Sequence, residues 1–377
     1  MKKILLVPDS FKGTMSSREI CDIMAEEIQK VWPKALVISI PVADGGEGSV
    51  DAFLSSVGGE KCMVPCKGPY LEDMEGFYGR LSDGTAVVEM AAAAGLPLVG
   101  DRLNAGQTST YGVGQLIRAA AQKGARRIIV GLGGSATNDG GCGAAAALGV
   151  RFLDRQGEAY IPTGDTLDRL ERIDLSGLDP ILRDVQLVTM CDIDNPLCGP
   201  TGASAVFGPQ KGATPEQVEV LDRNLSHLAD VTAKAIGEDL RDLSGAGAAG
   251  GMGFGMRALL GSRMQMGIET VLDTVGFDRL LDGTNLVLTG EGKMDTQSLR
   301  GKVVIGVARR AAQENVPVVA VVGDIGDGVE EAYDLGVSAI FSTNRVAVPF
   351  SEAKPRSRSD MRLTVQNLVR FLKRMGL

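Results

Sequence analysis

Short apolar runs alternate with helix-spaced apolar residues along almost the whole chain, and this alternation constrains the fold more than any other feature. Residues 3–7 read as a buried strand. Ser16-Ser17-Arg18-Glu19 then spells a capping box, and Ile20, Ile23, Met24 and Ile28 follow at helical spacing until Pro33. Residues 36–40 read as the next strand. Residues 86–90 predict a strand that runs into a small-residue helix ending at Gly95. Residues 108–123 predict a helix with Val113, Leu116, Ile117 and Ala120 on one face, and 127–130 the strand after it. Further on, 185–190 reads as a strand, and Thr214-Pro215-Glu216-Gln217 opens a helix carrying Val218, Leu221, Leu225 and Leu228. Strands follow at 286–288, 318–322 and 339–341, with helices at 302–313 and 360–373. Strands separated by helices join through right-handed crossovers into largely parallel sheets. The fold class is α/β.

At roughly 100–200 residues per domain, 377 residues make two domains. Two stretches rich in glycine and charge, 59–83 and 261–283, interrupt the rhythm. They predict an outer domain built from residues 1–65 and 283–377, with residues 66–282 inserted as a second α/β domain. A division into N- and C-terminal halves is the competing arrangement.

The balance of charge narrows the partners. A net charge of −8 argues against nucleic acid and against a basic membrane patch. No apolar run reaches the roughly 18 residues that span a bilayer. Lys2 and Lys3 with residues 4–7 make too short a segment for a secretion signal, so a cytoplasmic protein is expected. The six cysteines form no C-x-x-C pair and read as reduced thiols. A single histidine, His227, leaves little scope for a histidine metal cage or a Ser-His-Asp mechanism. Small-molecule substrates are the expected partners, and a homodimer is compatible with the chain.

Chemistry is concentrated in the turns that follow the strands. The first strand gives Pro8-Asp9-Ser10-Phe11-Lys12-Gly13-Thr14, and the second Pro41-Val42-Ala43-Asp44-Gly45-Gly46-Glu47-Gly48. The strand at 127–130 runs into Gly131-Leu132-Gly133-Gly134-Ser135-Ala136-Thr137-Asn138-Asp139-Gly140-Gly141. The strands at 185–190 and 286–288 give Cys191-Asp192-Ile193-Asp194-Asn195-Pro196 and Thr289-Gly290-Glu291-Gly292-Lys293-Met294-Asp295. In open α/β sheets ligands bind outside the carboxyl ends of the strands, so these turns could converge on one cleft. Gly and Asp are also common turn residues anywhere. Carboxylates without histidine suit Mg²⁺. Successive glycine N–H groups with Ser and Thr hydroxyls suit phosphate oxygens. Lys12, Lys211, Lys293 and Lys302 suit point-charge contact with a phosphate or carboxylate. Together these are the parts of phosphoryl transfer.

Familiar nucleotide motifs do not fit. Gly292-Lys293 is followed by Met and Gly301-Lys302 by Val, so the Walker A pattern is absent. The turn at Gly131 has Ala136 where a dinucleotide fingerprint needs its third glycine, and the protein-kinase motifs are missing.

The turn sequences above, with Phe207-Gly208-Pro209-Gln210-Lys211-Gly212-Ala213 and Gly245-Ala246-Gly247-Ala248-Ala249-Gly250-Gly251, resemble the type-1 glycerate kinase family. The likeness runs in order from residue 1 to about residue 343. It implies a kinase that uses ATP and Mg²⁺ to phosphorylate glycerate. It also implies two α/β domains, one inserted in the other, with the active site in the cleft between them. The implied product is 2-phosphoglycerate, with 3-phosphoglycerate as the alternative.

On this reading Asp192 or Asp44 orients the attacking hydroxyl, and Lys12 grips the glycerate carboxylate or a phosphate. Asp139, Asp194 and Asp295 are candidates for holding Mg²⁺. The remaining contacts to substrate and phosphate fall to Asp9, Ser10, Gly45, Gly46, Gly133, Gly134, Ser135, Thr137, Asn138, Glu291, Lys293 and Lys302. Several have simpler readings. Asp192 and Asp194 could form an Asx-turn, Asp139 could cap the helix after it, and Lys293 with Glu291 and Asp295 could be a surface ion-pair cluster. Residues 245–255 would let backbone approach a ligand or hinge the domains. His227 and Cys191 read as structural. A non-catalytic binder of a sugar acid or nucleotide, and a dehydrogenase using the turn at Gly131, are the competing functions.

Overall fold

In the computed structural model, which describes residues 2–42 and 45–376, the chain divides into two units. One comprises Met1–Ala43, Ser55–Val57 and Ile268–Leu377, and the other Asp44–Leu54 and Gly58–Gly267.

The first unit is built on five parallel strands in the order Val337–Ser342, Val318–Val322, Leu286–Gly290, Lys3–Pro8, Leu36–Ser39. Strands buried on both faces read as continuous apolar runs, which is why Ile4, Leu5, Leu6 and Val7 are all inaccessible. Ile4 and Leu6 face helices Ser17–Val31 and Ser357–Arg374 through Ile20, Met24, Ile28, Met361, Val365 and Val369. Leu5 and Val7 point the other way, toward the face left for helix Val303–Gln313, which contacts four of the strands. The capping box at Ser16 and Glu19 is formed as the sequence predicts. Numbered along the chain, the strands run 2-1-3-4-5. This doubly wound order has its switch point between Lys3–Pro8 and Leu286–Gly290, where chain direction leaves a crevice at the strand ends.

The second unit carries six strands in the order Arg263–Gln265, Gln186–Met190, Arg127–Gly131, Ala86–Glu89, Asp73–Leu81, Gly59–Lys67. The first four are mutually parallel, and the last two add antiparallel pairings. Those two nine-residue strands occupy the stretch the sequence presents only as glycine-rich and charged. Gly59–Lys67 is an edge strand whose side chains are mostly solvated, and Pro65 sits where an edge tolerates it, so the apolar alternation that betrays a strand is weak. In the other such stretch, 261–283, strand Arg263–Gln265 is followed by helices Gly267–Val275 and Phe277–Leu281. A small sheet of Arg151–Leu153, Ala159–Tyr160 and Arg172–Asp174 and the long helix Pro215–Ile236 complete the unit. Leu225, Leu228, Phe152, Leu167 and Ile173 pack together there. No described helix is long and apolar enough to cross a membrane.

Candidate active site

At the switch point of the first unit, Asp9 N–H donates to the Gly290 carbonyl at 2.8 Å, so the turns after two adjacent strands are tied side by side. Phe11 N–H donates to the Met15 carbonyl at 2.9 Å and closes a tight turn with Lys12 exposed near its tip. Ser10 N–H donates to Asp9 Oδ1. Beside them Glu291 is only 6% exposed, and its Oε1 has no hydrogen-bond partner among the described residues. Burial pushes its carboxyl up to about 7. The Ser298 hydrogen bond and the charge of Lys302 pull it down, and the charge of Asp9 pushes it further up. The sequence therefore brings Asp9, Glu291, Ser298 and Lys302 to one crevice. Lys293 stands 3.6 Å from Asp295 in a largely solvated ion pair, and Asp295 Oδ1 also accepts from Gln297 N–H.

In the second unit the glycine turn after Arg127–Gly131 lies against the turn that opens helix Ser49–Val57. Gly133 N–H donates to the Gly45 carbonyl at 2.9 Å. A Cβ on Gly133 would stand 2.5 Å from Gly46 Cα, so close backbone approach requires glycine there. The helix start is held from the sheet: Glu89, 3% exposed at the end of its strand, accepts from the Val50 and Gly48 N–H groups. Its burial raises its proton affinity, which those two hydrogen bonds oppose. Asp44 lies outside the described residues.

Within the turn, Asp139 is inaccessible and its oxygens are filled. Oδ2 accepts from Thr110 N–H and Oγ1, both at 2.8 Å, and from Gly143 N–H, while Oδ1 accepts from Gly141 N–H. These bonds fix the turn to the start of helix Tyr111–Gln122. Asn138 Nδ2 donates to Ser204 Oγ at 3.0 Å, and Lys211 Nζ donates to Ser135 Oγ and the Thr137 carbonyl. Thr137 Oγ1 and Asn138 Oδ1 are buried without a partner among the described residues. Gly134 is exposed at the surface of the turn.

Residues 245–255 pack against the turn. Gly140 N–H donates to the Gly250 carbonyl at 3.0 Å, Gly250 has φ +67°, and a Cβ on it would overlap the Thr137 carbonyl oxygen. The two glycine-rich segments are packed backbone to backbone. Asp192 is exposed, and its Oδ1 accepts from Gly267 N–H at 2.7 Å; Asp194 is also exposed. Burial holds the Cys191 thiol up at about 11, which fits an inert residue. His227 Nε2 is 2.7 Å from the Leu170 carbonyl, a structural contact.

Among the described residues no three of His, Cys, Asp and Glu are grouped to hold a metal ion. Mg²⁺ seldom needs such a group, since one or two carboxylates complete its shell with waters and substrate phosphates. The donor set fits that mode. Glu89 and Ser204 were not singled out for the site from the sequence of these turns, whereas Lys211, expected to meet a phosphate or carboxylate, is buried against the turn itself. Glu89 had a readable signal, a lone acid inside the apolar run of residues 86–94.

The sequence profile of the glycerate kinase family matches residues 4–373. The chain is 45% identical over 373 residues to glycerate kinase of Bacillus subtilis (strain 168), covering 98% of both chains. It is 43% identical over 342 residues to glycerate 2-kinase of Escherichia coli (strain K12), covering 90% of each. A crystal structure described as a glycerate kinase 2 from Salmonella typhimurium LT2 superposes with a TM-score of 0.86 at 40% identity, covering 100% of this chain and 99% of that one.

Proposed function

The chain belongs to the glycerate kinase family, and from that premise we propose that it transfers the γ-phosphoryl group of ATP to the C2 hydroxyl of D-glycerate, giving 2-phosphoglycerate. The near full-length likeness to a protein named glycerate 2-kinase carries the choice of C2.

Phosphoryl transfer asks the protein for positioning and charge stabilisation more than for covalent chemistry. The turn 131–141 offers backbone N–H groups and the Ser135 hydroxyl to the phosphates, with Gly133 and Gly134 giving close access. Lys12, exposed on its turn, takes the glycerate carboxylate, and Asp9 and Ser10 line the same crevice. Lys302 and Lys293 add positive charge beside Glu291. When neutral, Glu291 can donate a hydrogen bond to an anionic oxygen; when ionised, it can accept a hydroxyl proton. Asp192, exposed at the end of its strand, or else Asp44 orients the attacking hydroxyl. Asp194 or Asp295 would hold Mg²⁺, which when bound neutralises charge on the ATP phosphates.

The test is ADP release from purified protein with Mg-ATP and D-glycerate, followed by phosphorus NMR of the product. A new phosphomonoester coupled to one proton marks C2, and coupling to two protons marks C3 and overturns the choice of hydroxyl. Turnover with a longer sugar acid but not with glycerate would overturn the substrate.

A further inference from the structure

Lys211 is 1% exposed, yet it ends in an ammonium group. It sits in a single turn, Pro209–Lys211, followed by Gly212 at φ +88° packed against Leu103. From there Nζ reaches Ser135 Oγ at 2.8 Å and the Thr137 carbonyl at 2.7 Å, two positions on the glycine-rich turn. Burying a cation is costly unless it is paired and hydrogen-bonded. Burial pulls the pKa of Lys211 down to about 7, against the charge of Asp139, itself braced inside the same turn, so the ammonium form is held below about pH 7.

The donor geometry has a chemical consequence. A hydroxyl carries one proton. Ser135 Oγ uses a lone pair to accept from the ammonium, so its own proton must point elsewhere. Ser135 retains 7% exposure, whereas Thr137, Asn138 and Asp139 retain none. We infer that Lys211 is the positioning residue of the turn: it commits Ser135 to donating outward to an anion, and it supplies positive charge from behind the backbone. The inference rests on the proposed binding of ATP phosphates by residues 131–141. It assigns Lys211 no contact with substrate. A buried lysine that only filled space would affect folding without distinguishing one substrate from the other.

Lys211→Met keeps the volume and removes both donors, and Ser135→Ala removes the hydroxyl that they set. Steady-state kinetics and the rise in Tm produced by Mg-ADP would be measured for each variant and for the pair. Each single variant should raise the KM for ATP by about 10- to 100-fold, the range for a lost hydrogen bond to a charged partner. The KM for glycerate should stay within about twofold, and the double variant should be no worse than the poorer single one. If Ser135→Ala weakens nucleotide binding while folded Lys211→Met does not, the role of Lys211 is overturned and the turn remains the phosphate site. If neither changes nucleotide binding, the reading of the turn falls and this inference with it. Equal losses toward both substrates, or additive effects in the pair, would make Lys211 a packing residue and overturn its positioning role. Should Lys211→Met not fold, Lys211→Gln, which keeps an N–H donor without the charge, takes its place; an unchanged KM for ATP there would also overturn the role.

Discussion

Replacing Glu291 with glutamine should stabilise the protein in alkaline solution while weakening catalysis. An ordinary glutamate in the unfolded chain releases its proton near 4.5, whereas Glu291 in the fold holds it to about 7, mainly because it is buried. At about 1.36 kcal/mol per tenfold change, the ionised form costs the fold on the order of 3 kcal/mol. Its sign follows from proton counts. Below pH 4.5 both states are protonated and there is no cost. Between 4.5 and 7 the unfolded chain has lost the proton while the fold keeps it, so stability falls as pH rises. Above 7 both are ionised and the cost is complete. A glutamine side chain at this position would be a near-isostere with no such cost. The Glu291→Gln variant should therefore melt higher than the parent at about pH 8.5, by roughly 6–12 °C if a domain of this size shifts about 2–4 °C per kcal/mol. At about pH 5 the gap should shrink to under about 1 kcal/mol. Thermal unfolding followed by circular dichroism at the two pH values reads it directly. A gap of the same size at both, or a variant less stable than the parent in the alkaline sample, would refute a buried, ionisable Glu291.

Three other outcomes are expected. Gly250→Ala, which forces a Cβ into the Thr137 carbonyl at a positive φ, should cost at least about 3 kcal/mol in urea unfolding; a loss below about 1 would mean the two glycine segments can separate. Asp192→Asn keeps an acceptor for Gly267 N–H, so stability should hold while kcat falls about 100-fold or more; normal turnover would remove Asp192 from the chemistry. Lys12→Ala should raise the KM for glycerate by about tenfold or more and leave the KM for ATP nearly unchanged, which substrate-by-substrate kinetics would check.

Much of the fold is legible in the sequence because parallel strands covered on both faces leave unbroken apolar runs, as residues 4–7 and 318–322 do. The hairpin strands Gly59–Lys67 and Asp73–Leu81 escape that signal, since the edge strand is solvated and interrupted by Pro65. The family and its turn motifs are legible for a different reason: close backbone approach admits only glycine, so the turns are written in residue type. What stays hidden is which atoms those turns face. Nothing in the string of glycines at 245–255 tells a ligand from another backbone, and here the neighbour is the turn 137–141. Asp139 reads as a metal candidate because it is an acid among phosphate-binding residue types; that four donors from its own unit reach it shows only in space. Lys211 reads as one isolated lysine among several until its burial is known.

The strand order of the first unit also sets a timetable for synthesis. Lys3–Pro8 lies between Leu36–Ser39 and Leu286–Gly290, and its Val7 carbonyl accepts from a threonine hydroxyl 282 residues later. At about 5–20 residues per second, the ribosome makes that partner roughly 15–60 s after the strand emerges. Through that interval one of the most apolar segments of the nascent chain has an unpaired edge, the feature by which strands recruit unwanted neighbours. The inserted unit, contiguous but for a few residues, can complete its own sheet in the meantime. Release of active enzyme should therefore depend on holding the first strands apart from other chains, and a ribosome-bound chaperone that covers them would raise yield more than one acting on the finished polypeptide.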